Sequence, residues 1–138
     1  MKSWKNWATT TTCNPEKVFF PENISQLQEF VQENEKKDYP LKVVGHSGSY
    51  NSNFHTSGTL ISLKNMNQVH QIDNEAKTIT VDAGIAIQDF IKIAAKANLG
   101  ISSLGTNVFD NLAGSCAVGH HGSGKNYSIL SSYIQSFE

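Results

Sequence analysis

Apolar positions recur at helical spacing in two stretches of this chain and gather at strand length in several others. Ile24, Leu27, Phe30 and Val31 share one face of a 3.6-residue repeat, with Asn23 placed as an N-cap and Gln26 three residues on in a capping-box pattern. The spacing predicts a helix over about 24–37, ended by the Lys36-Lys37-Asp38 run and Pro40. Two short apolar runs flank it, Lys17–Phe20, stopped by Pro21, and Leu41–Val44. They read as strands that are parallel because a helix separates them, giving a β-α-β unit. Phe90, Ile91, Ala94 and Ala95 predict a second helix over Ile87–Ala97, with Gly100 as its C′ residue. Thr59–Leu63, Val69–Asp73 and Thr78–Asp82 are strand-like, and the polar turns at 64–67 and 74–77 suit an antiparallel meander. Residues 1–16 read as an irregular lead-in with Trp4 and Trp7 at a core edge. Ser131–Phe137 reads as a strand that starts and stops with the chain, the pattern of a fragment.

Composition narrows the class without naming a chemistry. A length of 138 residues bounds the chain to one domain or two small lobes sharing a core. A net charge of −1 gives no electrostatic footprint for nucleic acid or an anionic membrane. No apolar run approaches the roughly 20 residues that span a bilayer. The opening MKSWKNWATTTT lacks the apolar core of a signal peptide, which predicts a cytoplasmic protein. Cys13 and Cys116 have no metal-ligand spacing and read as reduced thiols; no His/Cys/Asp/Glu group has the spacing of a metal site. Gly122-Ser123-Gly124 lacks the strand-to-helix context of a nucleophile elbow. His55 and His70 are expected to face solvent.

Two Gly/Ser/Asn-rich loops follow strands. The first, VGHSGSYNSNFHTSG (44–58), fails the context test of a dinucleotide fingerprint because no helix follows Gly45 and Gly48. The second, LGTNVFDNLAGSCAVGHHGSG (104–124), holds five of the ten glycines and has only Lys125 at its edge. Such segments can turn successive N–H groups toward one anion, which suits phosphate. Composition alone serves equally for a tight glycine-rich turn without a ligand.

In order and spacing, Asn6-Trp7-Ala8, Cys13, Pro15-Glu16, Pro21, VVGHSGSYN (43–51), LISLKNMNQV (60–69), TITVDAGIAIQDF (78–90), SSLGTN (102–107), AGSCAVGHHGSG (113–124) and ILSSYIQSFE (129–138) form one series. Together they resemble the FAD-binding domain of the vanillyl-alcohol oxidase/p-cresol methylhydroxylase (PCMH-type) superfamily. The resemblance is nearest to the sugar-lactone and alditol branch, the gulonolactone, arabinonolactone and xylitol oxidases. It implies an α+β fold of two α/β lobes: a small β-α-β lobe over about 1–57, and a mixed-sheet lobe with helices over about 58–138, short of its C-terminal strands. The substrate domain is expected outside this chain.

The resemblance further implies FAD held between the lobes through backbone N–H groups. Carried over by position, the first loop supplies Val44, Gly45, His46, Ser47, Gly48, Ser49, Tyr50 and Asn51. The second supplies Gly105, Thr106, Asn107, Asn111, Ala113, Gly114, Ser115, Gly119, His121, Gly122 and Ser123. Many members of the branch tether the flavin to histidine in a G-x-x-H-S pattern. Aligning Gly45 with the first glycine and Ser49-Tyr50-Asn51 with H-S-F-N puts Gly48 at the tethering position, which predicts non-covalent FAD in preference to a tether at His46. His121 stands at a T-H-G-S position, where it either shapes the flavin loop or only bonds backbone; His120 has no assigned role. The implied activity is oxidation of a CH–OH group of a sugar, lactone or polyol by hydride transfer to flavin N5, with no catalytic side chain assigned here. The alternatives are a non-catalytic binding module that has lost flavin and a nucleotide-binding domain unrelated to flavins.

Overall fold

In the computed structural model, which describes residues 3–35 and 40–138, the chain divides into two units, Met1–Met66 and Asn67–Glu138. The first begins with a small antiparallel pair, β1 (Trp4–Lys5) and β2 (Thr12–Cys13), with Trp4 opposite Cys13. Asn6 closes the turn by accepting the Thr11 N–H at Oδ1 (3.1 Å) and donating its own N–H to the Thr11 carbonyl (3.1 Å). Then follow β3 (Lys17–Phe19), α1 (Ile24–Glu35), β4 (Leu41–Val44) and β5 (Thr59–Ser62).

β3 and β4 are parallel, as their helical connection requires, but they are not neighbours. β5 lies between them in the order β3-β5-β4, parallel to both. This overturns Thr59–Leu63 as the first strand of an antiparallel meander and puts it in the first unit, which divides from the second after Met66 rather than after residue 57. The physical reason is burial: all four residues of β5 are buried, the mark of a central parallel strand rather than of an alternating half-exposed one. Cys13, Val44, Phe54 and Leu60 form the core of this unit, with Trp4 and Val18 packed against it.

α1 starts where Asn23 accepts the Gln26 N–H at 2.9 Å. The Gln26 side chain turns back onto the Glu22 N–H (2.9 Å), one residue before the partner a capping box uses. Phe30 is the one buried position of the helix, and its ring stacks on Phe19 with centroids 4.1 Å apart. The helix is described to Glu35; the Lys36-Lys37-Asp38 stop lies outside the described residues.

The second unit opens with a hairpin, β6 (Val69–Asp73) against β7 (Thr78–Val81). Asp73 Oδ1 accepts the N–H groups of Glu75 and Ala76 (2.9 and 2.8 Å), which shapes the turn. Asp82 ties its mouth through Gln68 N–H (2.8 Å) and through Nε2 of His70 (2.7 Å), which is exposed as expected. α2 (Ile87–Lys96) ends in a Schellman motif: Leu99 N–H reaches the Ala94 carbonyl (2.9 Å) and Asn98 N–H the Ala95 carbonyl (3.1 Å). The left-handed C′ residue is therefore Asn98, at φ 56°, and not Gly100.

A third helix, α3 (Leu112–Ala117), sits inside the glycine-rich stretch, where only a loop was expected. Asn111 caps it, accepting the Gly114 N–H at 3.0 Å, and is itself buried. Asn111→Ala is expected to destabilise the chain by about 1–2 kcal/mol in denaturant titration, since this cap has no substitute. Ser131–Phe137 is not a strand: Leu130–Tyr133 forms a 3-10 turn whose Leu130 is buried and whose first N–H reaches the His120 carbonyl (2.7 Å). Ile134 and Phe137 beyond it stay exposed.

Candidate functional site

β4 delivers the chain into the first loop at Val44, whose side chain is in the core, and Gly45 leads away from the sheet. Ser47 then adopts φ 62°, the left-handed region that costs a residue with a Cβ roughly 1–2 kcal/mol. Three hydrogen bonds from the N-terminal segment hold this conformation. Trp4 Nε1 donates to Ser47 Oγ (2.7 Å), Trp7 N–H to the Ser47 carbonyl (3.0 Å), and Asn6 Nδ2 to the Ser49 carbonyl (3.2 Å).

Every peptide among the described residues is trans, so each carbonyl points opposite to the N–H that follows it. The Ser47 and Ser49 carbonyls face the N-terminal segment, and the N–H groups of Gly48 and Tyr50 therefore face away from it. Among the described residues neither N–H finds an acceptor. Two such donors beyond a left-handed residue suit a nest for an anion. His46 and Ser49 are exposed, and Asn51 turns its Oδ1 to the Asn53 N–H (3.1 Å). Tyr50, also exposed, meets the Trp7 ring edge-on at 5.5 Å.

In the second stretch, glycine serves close approach more than donation. Gly105 donates its N–H to His120 Nε2 (2.9 Å), and a Cβ there would lie 2.5 Å from that nitrogen and 2.8 Å from the His121 carbonyl oxygen. A Cβ at Gly122 would lie 2.6 Å from the Leu104 carbonyl oxygen. Other N–H groups assigned to phosphate are engaged within the unit. Ala113 reaches the Ala83 carbonyl (3.2 Å), Ser115 the Asn111 carbonyl (3.0 Å), Gly119 the Cys116 carbonyl (3.2 Å), and Gly122 the Ser103 hydroxyl (3.3 Å). With Gly114 on the Asn111 side chain, these residues give the stretch its shape.

Hydroxyls are among the donors that remain. Ser115 is 2% exposed and its Oγ has no hydrogen-bond partner among the described residues. Thr106 and Ser123 are exposed, and their hydroxyls likewise make no hydrogen bond among the described residues. Asn107 bridges Asp110 (2.6 Å) and the Phe109 N–H (3.1 Å). His121 is exposed, with Nδ1 2.9 Å from the Gly122 carbonyl oxygen. His120, which the sequence left without a role, accepts through Nε2 and so carries its proton on Nδ1. Nothing local could have revealed it, because its partner is fifteen residues away.

All eleven basic residues of the chain are lysines, with no arginine. An anion in either stretch would be met by N–H dipoles and hydroxyls instead of a guanidinium fork, a donor set that fits the neutralised contacts of a nucleotide diphosphate. No group of three or more His, Cys, Asp or Glu among the described residues could hold a metal ion, and none of their helices is long and apolar enough to cross a membrane. On α3, burial pushes the Cys116 thiol above its ordinary value. Unfolding would free the thiol to ionise, so stability is unaffected at neutral pH and falls as pH rises from the ordinary thiol value through the raised one. Cys116 is expected to alkylate with iodoacetamide at pH 8 several-fold more slowly than a small free thiol; peptide mapping that finds equal rates would contradict this.

Residues 15–138 match the FAD binding domain family. The L-gulonolactone oxidase of Scyliorhinus torazame is 30% identical over 131 residues, covering 95% of this chain and 30% of that protein. The mouse (Mus musculus) L-gulonolactone oxidase is 31% identical over the same length and coverage. The D-arabinono-1,4-lactone oxidase of Kluyveromyces lactis is 28% identical over 133 residues, 94% of this chain and 25% of that protein. The chain thus spans about a third or less of the curated relatives it matches. Among solved structures, cholesterol oxidase from B. sterolicum superposes with a TM-score of 0.73 at 16% identity, over 88% of this chain and 24% of that one. A variant of the Physcomitrella patens BBE-like 1 protein superposes with a TM-score of 0.72 at 19% identity, over 87% and 27%. These likenesses show the fold alone, an α+β one.

Proposed function

This chain belongs to the FAD binding domain family, and on that footing we propose that it is the cofactor-binding part of a flavin oxidoreductase acting on a CH–OH group of a sugar lactone, sugar or alditol. The lactone oxidases among its relatives support the substrate class. The observation that carries the cofactor reading is the outward pair of N–H groups at Gly48 and Tyr50, in a loop that leaves a parallel strand.

Those two N–H groups would take phosphate oxygens. The hydroxyls of Thr106, Ser115 and Ser123 would take further oxygens or ring edges. Gly105, Gly114 and Gly122 contribute by allowing close approach where a Cβ would clash, and Gly119 by its positive φ of 69°. Bound FAD would supply the electron sink, with hydride leaving the substrate carbon for flavin N5. The base that receives the hydroxyl proton and the substrate pocket belong to the substrate domain, which this reading places outside the 138 residues.

The attachment is non-covalent in this reading, because the register that pairs Ser49-Tyr50-Asn51 with the H-S-F-N run leaves Gly48, which has no nucleophile, at the tethering position. The test is acid precipitation of the chain after incubation with FAD. Flavin absorbance is expected in the supernatant. Yellow colour retained in the pellet would overturn the Gly48 register and point to His46.

A further inference from the structure

We infer that the N-terminal segment Trp4–Trp7 is a positioning clamp for the loop Val44–Asn51 and sets how tightly that loop holds a nucleotide diphosphate. The inference rests on reading the loop as an FAD phosphate loop, but it concerns residues that precede the family match, which begins at residue 15. Three residues of the segment converge on two loop residues. Trp4 donates its indole N–H to the Ser47 hydroxyl (2.7 Å), Trp7 its backbone N–H to the Ser47 carbonyl (3.0 Å), and Asn6 its amide to the Ser49 carbonyl (3.2 Å).

The segment is itself fixed. Trp4 packs against the core of Cys13, Val44, Phe54 and Leu60. Asn6 is 2% exposed, and its side chain also bonds Thr10 Oγ1 (3.0 Å) and the Thr11 N–H (3.1 Å). A rigid support therefore reaches a loop residue in a conformation that an L side chain disfavours, Ser47 at φ 62°. Strain of this kind persists only where the surroundings over-determine it.

Its consequence is directional. With Ser47 and Ser49 carbonyls drawn toward residues 4–7, the Gly48 and Tyr50 N–H groups are presented together on the other side. If the clamp is released, Ser47 relaxes to negative φ, the peptide that follows it turns, and the Gly48 donor leaves the nest. With no arginine in the chain to compensate, affinity for the diphosphate falls.

The test compares the 138-residue chain with Trp4→Phe, which keeps an aromatic ring in the core contact but has no indole N–H, with Ser47→Ala, which removes the acceptor of the same bond, and with the double variant Trp4→Phe/Ser47→Gly. FAD is titrated by quenching of flavin fluorescence, and the amide resonances of Gly48 and Tyr50 are followed by NMR without ligand and with inorganic pyrophosphate. Trp4→Phe and Ser47→Ala should each weaken FAD binding about tenfold, the worth of one ordinary hydrogen bond. The double variant should recover most of the loss, because glycine takes positive φ without support.

Unchanged affinity in Trp4→Phe would overturn the inference. So would a loss that Ser47→Gly does not rescue, since that is the behaviour of a packing residue or of a direct Ser47–ligand contact. If the unaltered chain responds to neither FAD nor pyrophosphate, the flavin reading falls. The clamp is then judged by the ligand-free spectra alone: displaced Gly48 and Tyr50 amides in Trp4→Phe support it, and undisturbed ones overturn it.

Discussion

Leu60→Ala is expected to remove about 2–5 kcal/mol of stability, the range for deleting a fully buried leucine whose cavity cannot collapse. Leu60 is 0% exposed and lies on the central strand, opposite Val18 on one side and Lys42 on the other. Few sites have less room to relax, because β5 is hydrogen-bonded along both edges. Both tryptophans of the chain are in the first unit, so their fluorescence in a urea titration reads this unit alone. A midpoint that hardly moves would contradict the placement of β5 between β3 and β4.

Gly105→Ala has the second-largest expected effect, and it acts on the other unit. The new methyl would occupy the space of the His120 imidazole and crowd the His121 carbonyl oxygen. The chain must give up the Gly105–His120 hydrogen bond, worth about 1 kcal/mol, and also absorb an overpacking cost of about 1–3 kcal/mol. His120→Ala alone should show only the first of these costs. In the double variant the imidazole that the methyl would strike is gone, so the two losses should not add. Calorimetry that finds full additivity would show that Gly105 and His120 do not meet as described.

Much of the local structure was legible because it rests on local physics. Asn23 and Gln26 announced the start of α1, Ile87 the start of α2, and the Leu41–Val44 run matched β4 residue for residue. What stayed hidden depends on partners distant in sequence. Nothing in TLIS says that β5 inserts between two earlier strands, because parallel neighbours are chosen by the sheet. α3 has six residues, includes Gly114 and carries no apolar stripe, so its only local sign was Asn111, which reads equally as a loop residue.

The same distinction holds at the site. The two loops were visible as composition, but which of their N–H groups remain available was not. The second stretch turns many of its donors inward, whereas the first presents Gly48 and Tyr50 outward, with Trp7 and Asn6 holding the Ser47 and Ser49 carbonyls on the other side and Trp4 holding the Ser47 hydroxyl. The Trp4–Ser47 bond joins residues forty-three apart, and the tryptophan had read as a core edge alone.

The central claim, that this chain is built to bind FAD, is tested most directly by equilibrium dialysis of the purified 138-residue protein against FAD, with riboflavin as a parallel ligand lacking the diphosphate. The account predicts saturable binding of FAD near one equivalent and markedly weaker binding of riboflavin, because the available donors face phosphate oxygens. No retention of FAD, or equal retention of both, would contradict it.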